Sequence, residues 1–181
     1  DEYFSLDGTN DYIQITIPEG SFSATEATFI LWVRLNGAQP FSAGILFNRG
    51  GSPSTSATGM NFYSNSDPSK LAYHWNDQGN TYNFSNGPTV SDQTWTMIAV
   101  SVTSDDAKLY ACNSNGITVA TNTYANSSAT FSNIRVGSDA GTAARVIKGD
   151  VSNVQFYTKS LTTSDIQQTF DAIKSRYGYS V

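Results

Sequence analysis

Acidic and amide side chains crowd one short stretch, SLDGTNDYIQI at 5–15, where Asp7, Asn10 and Asp11 sit between two apolar runs. Oxygen-rich clusters of this kind suit calcium, which takes six to eight oxygen ligands at roughly 2.3–2.6 Å. Asp150, far along the chain in GDVSNV, adds a third carboxylate if the fold brings the two segments together. The same residues also describe a hairpin turn that needs no ion, because Asp7 and Asn10 can bond their own backbone and Gly8 can take positive φ. Both readings are compatible with the spacing. Transition metals are not, since one His and one Cys cannot build the usual zinc ligand set.

A second cluster, KLAYHWNDQGNTYNF at 70–84, interleaves aromatics with amides. Alternation along a strand puts Leu71, Tyr73 and Trp75 on one face and Ala72, His74 and Asn76 on the other, with Tyr82, Asn83 and Phe84 on a flanking strand. Sugars suit such a surface: aromatic faces pack against their C–H patches while amides reach the hydroxyls. Asn61, Tyr63, His74, Asn76, Tyr82 and Asn83 are therefore the candidate glycan-binding residues, with Tyr73 and Trp75 expected in the core.

Catalysis finds no pattern. The glutamates are Glu2, Glu19 and Glu26, all ahead of the central strands, whereas retaining glycosidases hold two carboxyl groups about 5–5.5 Å apart. His74 is the only base for a serine nucleophile, and no Gly-x-Ser-x-Gly elbow accompanies it. The expectation is a non-enzyme that requires no cofactor, calcium being the one candidate ion.

The elements that must position these residues read as strands. Charged residues are only 14% of the 181, against roughly 25% in average domains, and Ser, Thr and Asn supply the polarity. Period-two stretches bounded by turn residues fall near 3–6, 12–17, 27–35, 43–48, 59–64, 70–76, 80–84, 94–103, 106–113, 116–123, 132–137 and 146–157. TFILWVRL and WTMIAVSV are apolar on both faces and predict central strands covered on both sides. The Gly- and Ser-rich connections at 49–59 and 138–146 read as exposed loops. Only the C-terminus is helical in pattern: Thr162 caps, Asp165 completes a short-acid capping box, and Leu161 with Ile166 forms a staple. Ile166, Phe170, Ile173 and Tyr177 then make one apolar stripe, and Gly178 ends it.

A net charge of -5 and no basic run exclude nucleic acid, and no apolar stretch approaches the roughly 20 residues of a membrane span. The chain opens at Asp1 and reads as a mature chain or an excised domain. Cys112, alone, is expected as a buried thiol.

In order, SLDGTNDYIQI, TFILWVRL, WTMIAVSV, DDAKLYACNSNG, IRVGS and GDVSNVQFYTKSLTTSDI resemble the consensus of the laminin-G-like branch of concanavalin A-like jelly rolls. The resemblance implies one all-β domain over 1–181, a two-sheet antiparallel jelly-roll sandwich with one short C-terminal helix (161–178) packed on it. It also implies that the first acids and Asp150 are neighbours. The chain departs from the consensus at Thr96, at the stretched Asn113–Gly116 turn and at Ser152-Asn153, where an acidic pair is usual. The ending DIQQTFDAIKSRYGY further resembles the tails of phage and virus structural proteins. Two functions follow as expectations: a glycan or cell-surface polysaccharide attachment module, extracellular or on a virion surface, or a virion structural protein contacting other virion proteins. A homo-oligomer fits the second.

Overall fold

The computed structural model describes residues 2–17, 20–49, 57–63, 66–139 and 145–180. In chain order the strands are β1 (Phe4–Asp7), β2 (Ile13–Thr16), β3 (Phe22–Ala24), β4 (Ala27–Leu35), β5 (Gly44–Asn48), β6 (Thr58–Phe62) and β7 (Leu71–His74). A helical turn, α1 (Gly79–Tyr82), precedes β8 (Thr96–Val102), β9 (Ala107–Asn113), β10 (Gly116–Asn122), β11 (Ala129–Phe131), β12 (Asn133–Val136) and β13 (Lys148–Tyr157). Helix α2 (Thr163–Ile173) and a 3-10 turn (Lys174–Tyr177) close the chain. The loops expected at 49–59 and 138–146 fall largely outside the described residues.

Six strands form one antiparallel sheet in the order β1-β13-β4-β8-β9-β10, and five form a second in the order β2-β12-β5-β6-β7. This is the two-sheet jelly-roll sandwich that the resemblance implies, built from the antiparallel strands that the alternation predicts. Between the sheets, Phe29, Leu31 and Val33 of β4 and Ile98 and Val100 of β8 meet Met60, Phe62, Leu71 and Tyr73 from the other sheet. The intervening residues of the same two strands, Ile30, Trp32, Met97 and Ala99, face the opposite way. They are buried because Leu161, Ile166, Phe170 and Tyr177 pack on them, with Trp32 stacked 3.8 Å from the Tyr177 ring. The central strands are thus covered on both faces.

Local chemistry sets α2 as the sequence indicates. Thr162 Oγ1 accepts from the Asp165 amide at 3.2 Å, and Asp165 Oδ2 accepts from the Thr162 amide at 2.8 Å. The Thr162 hydroxyl, which donates to Asp165 Oδ2 at 2.7 Å, and the Thr162 amide together hold the Asp165 carboxyl below its ordinary range. Gly178, at φ 86°, ends the 3-10 turn in the left-handed conformation that glycine adopts without strain.

Two expectations are corrected, and one element goes beyond them. Residues 80–84 are not a strand. Thr81 is buried, accepts the Trp75 amide on Oγ1 at 3.0 Å and donates to the Gln78 carbonyl at 2.7 Å, which curls the chain into α1 beside the end of β7. The opening stretch is not a hairpin. β1 pairs with β13 and β2 with β12, so the DGTND turn carries the chain from one sheet to the other. A short ribbon of β3 and β11, held by Phe22 stacking on Phe131 at 5.2 Å, was invisible in the pattern because each strand is only three residues long.

The second core generates a stability prediction. Phe170→Ala removes a buried ring stacked 5.5 Å from Trp32. It should cost about 3–5 kcal/mol in chemical denaturation. Thr162→Ala should cost only about 1 kcal/mol, the usual worth of a cap.

Candidate functional site

The sequence-based glycan face is assembled only in part. Asn61 and His74 lie on one face of the second sheet, beside Gly59 in the β6–β7 register. Both are buried, at 0% and 6% exposure, and Tyr63 is at 8%. These three therefore do not form the solvent-facing platform expected of them. His74 stacks on Tyr82 at 5.1 Å and meets Phe47 edge-on at 5.1 Å. Asn76 is tied to Ser127 and Ser128 through its Nδ2, and Asn83 is exposed just beyond α1. Tyr73 and Trp75 belong to the main core, as expected.

Burial sets the charge state of this cluster. Burial pushes the His74 imidazole below its ordinary pKa and outweighs Asp77, whose Oδ1 sits 3.4 Å from Nδ1 and outside hydrogen-bond geometry. Nearby, Asp139 binds Arg49 in two-pronged fashion at 2.6 and 2.9 Å and Arg145 at 3.0 Å. Cys112 is a buried thiol pushed up to about 12 by burial, so it carries no nucleophilic thiolate near neutral pH.

The opening acids make the turn. Asp7 Oδ1 accepts from the amides of Thr9 at 2.7 Å and Asn10 at 3.4 Å, Asp11 Oδ2 accepts from the Asp7 amide at 3.1 Å, and Gly8 takes φ 79°. Asp150 does lie in the same cleft, with Asp7, Asp11 and Lys148. Its Oδ2, however, takes two hydrogen bonds from Arg34, at 2.9 and 2.5 Å, and its Oδ1 takes one from Ser5. Asp150 is thus paired with a guanidinium, while one oxygen each of Asp7 and Asp11 accepts backbone amides. Among the described residues, no three His, Cys, Asp or Glu side chains gather as a metal set.

A third location was missed by the sequence reading. Where β1 and β2 edge the two sheets, the sandwich stays open as a groove of about 610 Å³. One wall is Phe4 and Val151, the other Ile13, Ile15 and Val136, and the rim carries Glu2, Tyr3, Ser152, Asn153 and Arg176, the Tyr3 ring lying against Trp95 and Arg34. Register shows why the side chains converge: Phe4 pairs with Val151, Ile13 with Val136 and Ile15 with Ile134, and Val151, Val136 and Ile134 all belong to the inter-sheet core. Yet Phe4 is 63% exposed and Ile15 36%, because no described residue fills the gap between them.

Both ends of the chain build this rim. Tyr177, locked on Trp32, donates from its hydroxyl to Ser152 Oγ at 3.0 Å, and Ser152 Oγ donates to the Glu2 carbonyl at 2.8 Å. A bulge interrupts β13 between Ser152 and Gln155, with Asn153 at φ 49°, and this turns the rim side chains toward the groove mouth. The tail that resembles virion proteins thus has a packing role in this fold, through Phe170, Tyr177 and Gly178.

Residues 7–167 match the family model described as the concanavalin A-like lectin/glucanases superfamily, laminin G type. The chain belongs to that superfamily. Solved structures of the same fold include domain 4 of AbnA, an extracellular arabinanase from Geobacillus stearothermophilus in complex with arabinotriose. It is 17% identical with a TM-score of 0.69, covering 92% of this chain and 75% of that one. The sialidase CBM40 of Ruminococcus gnavus, bound to α2,3-sialyllactose, is 10% identical with a TM-score of 0.64, covering 93% and 96%. Mouse laminin α1 domains LG4-5 are 16% identical with a TM-score of 0.60, covering 91% of this chain and 43% of that one. Among curated protein sequences there is no significant match.

Asn126 is buried, and its Nδ2 donates to the carbonyls of Thr103, Asp106 and Tyr124, which gives the Asn126-Ser127-Ser128 stretch a structural role in the folded chain. No helix among the described residues is long and apolar enough to cross a membrane.

Two predictions follow from the site electrostatics. The melting temperature in excess EDTA should match that in calcium buffer within about 1 °C, since only a ligand bound by the native state would raise it. His74, whose folded pKa is depressed, favours the native state fully above its unfolded pKa of about 6.5, and that contribution fades as pH falls toward the folded value. Denaturation free energy should therefore decline from about pH 6.5 to 5, above the main carboxylate range. His74→Gln should flatten that decline.

Proposed function

We propose that this chain is a non-catalytic glycan-binding module of an extracellular surface, with the sugar seated in the groove between β1 and β2. The observation that carries the reading is the groove itself: the exposed ring of Phe4 beside a carboxylate, an amide and the Arg176 guanidinium. A volume of about 610 Å³ lies within the roughly 300–1,000 Å³ of small-ligand sites. Aromatic faces supply apolar contact to pyranose or furanose C–H groups, and Glu2, Asn153 and Arg176 supply hydrogen bonds to hydroxyls. Structural relatives seen with arabinotriose and sialyllactose support an oligosaccharide as the ligand class. Display on a secreted multidomain protein or on a virion would equally present the groove to a polysaccharide.

Binding rather than cleavage follows from the rim. Glycoside hydrolysis by the common mechanisms needs two carboxyl groups flanking the bond. Among the described residues lining the groove, Glu2 is the one carboxylate. No metal is needed by this mode of binding.

A glycan array followed by calorimetric titration of the best ligand tests the proposal. Phe4→Ala and Arg176→Ala should each weaken affinity roughly tenfold, about 1.4 kcal/mol, while the melting temperature stays within about 2 °C, as expected of exposed side chains. Unchanged affinity in both variants would move the ligand out of this groove.

A further inference from the structure

Polar and apolar groups are segregated within the groove, and the segregation bears on which sugars it accepts. Glu2, Ser152, Asn153 and Arg176 stand at the rim, while Ile13, Ile15, Val136, Val151 and Val154 line the interior. The interior has no polar side chain to offer. The floor strands have their backbone groups engaged, because β12 pairs with β2 and β5 on either side and β13, up to Ser152, pairs with β1 and β4. At the rim, Ser152 Oγ is already engaged by Tyr177 and the Glu2 carbonyl, and Asn153 Oδ1 accepts from Gln155 Nε2. Side-chain hydrogen-bonding capacity toward a ligand therefore lies with the Glu2 carboxylate, the Asn153 amide N–H groups and Arg176, all at the mouth.

Resting on the glycan reading above, we infer that the groove selects sugars carrying a methyl-bearing substituent, such as a deoxy methyl or an acetyl group, which inserts between the two sheets. A hydroxyl pushed against Ile13 and Ile15 leaves its water hydrogen bonds and finds no replacement. A methyl in the same place leaves water and meets the walls of an unfinished core, where Phe4 and Ile15 face inward yet remain exposed. The ring hydroxyls meanwhile stay level with the polar rim. The inserted group is small, because Val136 and Val151, at 1% and 0% exposure, close the bottom.

The test compares matched probes in which a methyl-bearing substituent replaces a hydroxyl-bearing one: L-fucoside against L-galactoside (CH3 for CH2OH), N,N′,N″-triacetylchitotriose against cellotriose (acetamido for hydroxyl), and acetylated against deacetylated xylotriose (acetyl ester for hydroxyl). In the pair that binds, the methyl-bearing sugar should bind at least about fourfold tighter, the worth of burying one such group. Ile15→Thr keeps β-branching and strand propensity but places a hydroxyl in the groove. It should bring the ratio to near one while the melting temperature stays unchanged. Equal affinity within every binding pair, or a ratio that survives Ile15→Thr, would overturn this inference and leave the glycan reading standing. A folded protein that binds no sugar on the array would overturn both.

Discussion

Strands β4 and β8 are apolar on both faces, and the rest of the structure depends on satisfying that constraint. One face closes against the second sheet through Phe29, Leu31, Val33, Ile98 and Val100, while the other exposes Ile30, Trp32, Met97 and Ala99 to whatever follows in the chain. Helix α2 and its 3-10 turn meet that demand, and Tyr177 settles 3.8 Å over the Trp32 ring. Covering the outer face removes it as a binding surface. It also delivers the C-terminal turn to the neighbouring sheet edge, where Tyr177 fixes Ser152 and Arg176 reaches the groove rim. Packing in one place therefore positions chemistry in another.

Electrostatics reinforce this division between closed and open surfaces. In a chain with so few charges, several acids are engaged internally: Asp150 by Arg34, Asp139 by Arg49 and Arg145, Asp7 and Asp11 by backbone amides, and Asp165 by its own cap. Some buried polar atoms are less well served. Among the described residues, Trp32 Nε1 and His74 Nδ1 have no hydrogen-bond partner, each at a cost of about 1–3 kcal/mol. They sit where stacking decides the side-chain position: Trp32 under Tyr177, and His74 between Phe47 and Tyr82. Ring packing prevails there over polar satisfaction.

How far the sequence was readable follows the range of the interactions involved. The α2 cap was legible because Thr162, Asp165, Leu161 and Ile166 interact within one turn. The doubly buried character of β4 and β8 was legible because each residue reports its own face. The DGTND turn was legible as a turn, but its destination was not. β1 finds β13 across the length of the chain, and no local signal distinguishes that pairing from a hairpin with β2. Thr81 shows a similar limit, since its hydroxyl bonds to Trp75 and Gln78 override an alternation that reads as a strand. The candidate site was least legible. Asn61 and His74 have the chemistry of a sugar surface and are buried, whereas Phe4 and Ile15 have the chemistry of a core and are exposed. Alternation says which way a side chain points and nothing about whether anything meets it there.

That last contrast bears on why the groove exists. Full burial of a side chain such as phenylalanine contributes roughly 1.5–3 kcal/mol, so a fold that leaves Phe4 63% exposed at the lip of its own core forgoes stabilisation it has the geometry to collect. Bulkier residues at Val151, Val136 or Val154 would close the gap. Small valines instead keep it open, and the Ser152–Gln155 bulge turns polar groups toward its mouth where a regular strand would have packed flat. An open sheet edge beside exposed apolar residues also invites association. Here that hazard is limited because β1 and β2 are each four residues long and charged groups, Glu2 and Arg176, stand over the opening. An unfilled core seam, held open by small side chains and guarded by charge, has the features of a binding site whose apolar ligand group completes the packing that the protein leaves undone.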